Sequence, residues 1–140
     1  MRRFLAVCLA LVLAVSGLSA VMSVTIAETR HTVVKKLKFT WVSASDGTAT
    51  GTTTGAYDGK IENLTTVPAA AGSAPTDNYD LTLTDSDGVD VLAGGGANRD
   101  TANTEQVVAP SLGVTAGSVL TLNVTNAGDT KGGVVYVYIR

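Results

Sequence analysis

"VLTLNVTNAGDTKGGVVYVYIR", Val119 to Arg140, carries the pattern on which the fold turns. Leu120, Leu122 and Val124 alternate with Thr121, Asn123 and Thr125. Val135, Val137 and Ile139 alternate with Val134, Tyr136 and Tyr138. A period of two sends successive side chains to opposite faces of a strand. Asn126-Ala127-Gly128-Asp129, between the two runs, is a turn by composition. The second run is apolar on both faces, which predicts a strand covered on both sides. One cover is the domain's own core. The other is a partner subunit, a larger assembly, or a loop such as 97–108.

The same period recurs upstream. Leu37, Phe39 and Trp41 alternate with Lys36, Lys38 and Thr40 at the end of a strand over 33–41, with Phe39 and Trp41 in the core. Lys36, Lys38 and Lys35 then form a small basic patch on the solvated face. Residues 43–59 read as a loop or ragged hairpin, and 68–78 as a loop. The strand expected over 60–67 has Ile61, Leu64 and Val67 at a spacing that breaks alternation, so a bulge is expected. Tyr79, Leu81 and Leu83, then Val89 and Val91, flank Asp85-Ser86-Asp87-Gly88 and predict a hairpin. Residues 114–126 read as one strand. Roughly six or seven short strands with turn-rich joints make an all-β fold, an antiparallel β-sandwich or small jelly-roll-like barrel.

The N-terminus differs. Residues 1–21 form an apolar leader, expected as a helix: Arg2 and Arg3, then an apolar run, then the small Gly17, Ser19 and Ala20. That is the layout of a secretory signal peptide. The run is short for a membrane span, so a membrane partner follows only if the leader is retained. Met22-Ser23-Val24 also reads as a translation start. Residues 22–32 are expected to be an N-terminal arm, and 33–140 the β-domain. The lone Cys8 lies in the leader, which leaves the domain no disulfide and no thiol nucleophile.

Chemistry is sparse. Ten Lys and Arg against twelve Asp and Glu give a net charge of −2, which argues against a nucleic-acid partner. An EF-hand loop counted from Asp85 would place glycine at its twelfth position, where a bidentate Glu is needed, so Asp85 and Asp87 read as turn caps rather than metal ligands. Gly94-Gly95-Gly96 lacks the spacing of a phosphate loop. Asp90 is expected in solvent. His31, the single histidine, cannot build a catalytic set. No catalytic residue, cofactor or metal is expected, and the protein is read as a non-enzyme. Arg99, Asp100 and Glu105 are candidate interface residues, with Arg99 either solvated or paired to a neighbour's carboxylate. Tyr136 and Tyr138 join them as the second apolar face of the last strand.

Three stretches carry a resemblance: "DNYDLTLTDSDGVDVLAGGGANRDTANTEQV" (77–107), "TGTTTGAYDG" (50–59) and the ending "VYVYIR" (135–140). Together they resemble small proteins encoded among the structural genes of tailed bacteriophages and prophages, over about Val24 to Arg140. Such proteins start near a sequence like Met22-Ser23-Val24-Thr25, and the leader departs from that pattern. The resemblance implies a virion structural protein, a capsid decoration or cement protein or a tail-associated one. It would act through oligomeric interfaces, with a trimer expected, and its partners would be capsid or tail proteins. The leader supports another expectation, a secreted or surface-anchored β-sandwich that binds carbohydrate or forms filaments.

Overall fold

The computed structural model describes residues 21–140; the expected leader helix lies outside them. Nine strands follow in chain order: β1 (Ser23–Arg30), β2 (Lys35–Val42), β3 (Ala49–Thr52), β4 (Tyr57–Pro68), β5 (Asp80–Thr84), β6 (Glu105–Val108), β7 (Val114–Ser118), β8 (Thr121–Thr125) and β9 (Gly132–Ile139). The described residues contain no helix. The larger sheet runs β1-β2-β9-β4-β6, with β7 also on β4, and the smaller runs β3-β8-β5. All pairings are antiparallel. The fold is therefore all-β with antiparallel sheets.

The inward residues explain the layering. Leu37, Phe39 and Trp41 of β2 and Val135, Val137 and Ile139 of β9 are fully buried from one sheet. Leu81 and Leu83 of β5 and Leu122 and Val124 of β8 meet them from the other. Each such side chain is worth about 1.5–3 kcal/mol when removed from water. Burial of one face of each sheet also fixes register, since a one-residue slip would turn the apolar set outward. The expected irregularity in β4 is present, with register shifts at Tyr57/Gly59 and at Ile61/Asn63.

Four expectations are corrected. The supposed N-terminal arm is largely strand: Ser23–Arg30 pairs with β2 along its whole length. Its inward positions are Val24, Ile26 and Glu28, and the glutamate hid the alternation. The stretch 114–126 is two strands in different sheets. Gly117 takes a φ of 58°, and the chain crosses from sheet to sheet before Leu120, whose amide donates to Thr53 Oγ1 at 3.0 Å. The hairpin after β5 keeps its turn, as Asp85 Oδ1 accepts the amides of Asp87 (3.0 Å) and Val89 (2.9 Å). The returning strand, however, shrinks to a single bridge, Thr84 to Asp90. Asp90 is only partly exposed, and its carboxylate is taken up by the backbone. Its carboxylate accepts the amides of Leu83, Leu92 and Gly94, each at 3.0 Å, and bends the chain so that Val91 and Leu92 enter the core.

Candidate interaction surface

β9 is central in the larger sheet, and its odd residues point into the core. Val134, Tyr136 and Tyr138 therefore face outward, half-buried. Across from them on β2 the register sets Lys38 opposite Tyr136 and Lys36 opposite Tyr138. Lys36 Nζ lies 4.8 Å from the Tyr136 ring centroid and 5.8 Å from that of Tyr138, and Lys38 Nζ lies 5.9 Å from the Tyr136 ring. Such cation–π contacts are worth about 0.5–1 kcal/mol at exposed sites. On the other flank Asn63 and Thr65 of β4 oppose Tyr138 and Tyr136. Lysine side chains thus give the tyrosines part of their cover. The face combines two phenols, two cations and neutral polar side chains. At its head a groove of about 350 Å³ is lined by Val42, Val67, Pro68, Lys131 and the paired glycines Gly132 and Gly133.

The loop that could have covered this face lies elsewhere. Arg99 bridges to Tyr79 beside β5, with its amide donating to Tyr79 O at 2.8 Å. Its guanidinium donates to Ala97 O at 2.9 and 3.0 Å and lies 3.6 Å from Glu105 Oε2. Glu105 Oε2 also accepts the Asp100 amide at 2.7 Å. Asp100 in turn accepts the amides of Ala102 and Asn103 and the Asn103 side chain, and these bonds hold its carboxyl below the usual range. So Arg99, Asp100 and Glu105 do come together, but as a latch within one chain that ties β6 to the start of β5. The glycine run has a packing role too. Leu81 N donates to Gly96 O at 2.8 Å, and a Cβ on Gly96 would lie 2.2 Å from Leu81 O.

Sequence reasoning missed a second polar cluster. Glu28 of β1 accepts the Tyr57 hydroxyl at Oε2, and at Oε1 the amide and hydroxyl of Thr54, at 2.7 and 2.9 Å. The Arg30 guanidinium sits 4.5 Å from the Tyr57 ring centroid. Partial burial works against ionisation of Glu28, but the bonds from Tyr57 and Thr54 outweigh it and lower its pKa. Burial, helped by the Glu28 charge, pushes the Tyr57 phenol up to about 12. The cluster clamps β1 to the β3–β4 loop. Its members lie far apart in sequence, and only the fold brings them together. Within the core, burial also pushes the Tyr79 phenol up to about 12. Tyr79 packs at 5.7 Å on Trp41, whose Nε1 is buried without a partner, as is Thr66 Oγ1.

Among the described residues no group of three or more His, Cys, Asp or Glu is placed to hold a metal ion. Comparison with family models, with curated proteins and with solved structures finds no match to the chain.

Proposed function

We propose that the protein is a non-enzymatic structural protein of a tailed-phage particle, a β-sandwich module of jelly-roll-like kind that docks on a capsid or tail surface and works as an oligomer. The observation that carries this reading is the outer face of β9. Tyr136 and Tyr138 stand half-exposed between Lys36 and Lys38 of β2 on one flank and Asn63 and Thr65 of β4 on the other, and an apolar groove adjoins them. Tyrosine supplies contact area with few rotatable bonds and is enriched at protein interfaces. The phage resemblance of residues 50–59, 77–107 and 135–140 supplies the kind of partner.

The test is co-sedimentation with purified virions from a host that carries the gene. Wild-type protein should pellet with the particles. Tyr136→Asp should lose that binding while keeping its melting temperature within a few degrees, because the new carboxylate is desolvated only in the complex. A wild-type protein that stays in the supernatant refutes the reading. The leader supports a second reading, a secreted or surface module. N-terminal sequencing separates the two: Val21 follows signal cleavage, and Met22 or Ser23 follows a start at Met22.

A further inference from the structure

The longest regular edge in the fold belongs to β1, eight residues without a proline or a bulge. The other edge strands are shorter: β3 and β6 have four residues, β5 and β7 five. Natural sheets guard long edges with lysine, proline, bulges or inward-pointing charges. β1 carries no lysine, proline or bulge, its inward Glu28 is bonded to Thr54 and Tyr57 of its own chain, and no other strand of the described residues pairs with its outer side.

The direction of its free hydrogen-bonding groups follows from the ladder. His31 N donates to Val34 O at 2.8 Å across the β1–β2 turn. Hydrogen-bonded and non-hydrogen-bonded pairs alternate in an antiparallel ladder. With the observed register, Thr29, Ala27, Thr25 and Ser23 therefore bond to β2. Ser43 N to Lys131 O, at 2.7 Å, fixes the same parity from the far side of β2. The amides and carbonyls of Val24, Ile26 and Glu28 consequently point to the free edge.

The outward side chains are symmetric about one residue. Thr25, Ala27 and Thr29 read the same in both directions, and all three are exposed. We infer that β1 pairs antiparallel with β1 of a second copy, across a two-fold axis at Ala27, so that the larger sheets of two copies become one. In this register each Thr25 meets the other copy's Thr29, a favourable cross-strand pair, and the small alanines meet at the axis. Ile26 then opposes Glu28 of the other copy. Both carry outward amides and carbonyls, so the parity required by the ladder is met. A shift of one residue would oppose bonding to non-bonding positions and turn the faces over. The contact is isologous and closes at two copies. It differs from the trimer expected from the resemblance, and it does not depend on phage binding.

Full-length protein in a Cys8→Ser background tests it. Ala27→Cys sits at a non-hydrogen-bonded pair, where Cα atoms are about 4.5 Å apart, within disulfide reach. Oxidation should convert it to a band of doubled mass. Thr82→Cys, exposed on β5 in the smaller sheet, serves as the collision control and should not convert. In sedimentation velocity the wild type should run as a dimer. Thr25→Lys/Thr29→Lys and Thr25→Glu/Thr29→Glu should each run as monomers, and their equimolar mixture should restore the dimer. A monomeric or trimeric wild type, equal cross-linking of Ala27→Cys and Thr82→Cys, or a mixture that stays monomeric would each overturn the pairing.

Discussion

Asp90 shows how one carboxylate redirects a chain. By pattern it belongs to the solvated face of a returning strand, yet it gathers three backbone amides and ends that strand. Asp90→Ala should leave those amides without their acceptor at a cost of about 1–3 kcal/mol, read as a lower urea midpoint at unchanged slope. Glu28 and Tyr57 make a pH-dependent pair. The Glu28 pKa is lower in the folded state than in the unfolded chain. Its contribution is therefore present above the unfolded value, near 4.3 for a free glutamate, and is lost as pH falls through the folded one. Tyr57 is raised to about 12 from an ordinary 10. Its contribution is full below pH 10 and lost as pH rises through about 12. Melting temperature should fall at both limits. Glu28→Gln should flatten the acid limb, which a pH series of thermal melts would show.

At the scale of elements, the strands with clean alternation were legible. β2, β8 and β9 lie where Leu37-Phe39-Trp41, Leu122-Val124 and Val135-Val137-Ile139 predict them, and Phe39 and Trp41 are core. β1 was hidden because a charged residue, Glu28, occupies an inward position, and its partner Tyr57 is remote in sequence. β3 was hidden by glycine and threonine, and its place depends on contact across the layers. A Cβ on Gly51 would lie 2.5 Å from Val24 Cγ1, so glycine there lets β1 and β3 approach each other. Gly51→Ala should destabilise by about 1–3 kcal/mol through overpacking. Val24→Ala in the same chain should recover part of that loss, and a double-mutant cycle of denaturant melts would expose the coupling. Of the candidate interface residues, Tyr136 and Tyr138 lie on the outer face as alternation predicts. The pairing of Arg99 with its own Glu105 needed the loop's path over Tyr79, which no local pattern encodes.

On the scale of the whole molecule, order in space departs from order in sequence. β9 sits between β2 and β4, and its register joins Trp41 to Gly133 and Val67 to Val134. Such distant pairings close large loops before they yield contacts, which predicts folding in milliseconds to seconds rather than microseconds. They also make β9 indispensable. A chain stopped before Gly132 should show no cooperative thermal transition by circular dichroism, since β2 and β4 would lose their common neighbour. A ribosome delivers residues in order, and the first hundred and more emerge without the strand that joins their two halves. The larger sheet is completed only after Ile139 has left the exit tunnel. Until then β2 and β4 present unpaired apolar surface to whatever meets the nascent chain, so chaperones, and any export machinery that accepts only unfolded substrates, can bind it in the interval before β9 is made.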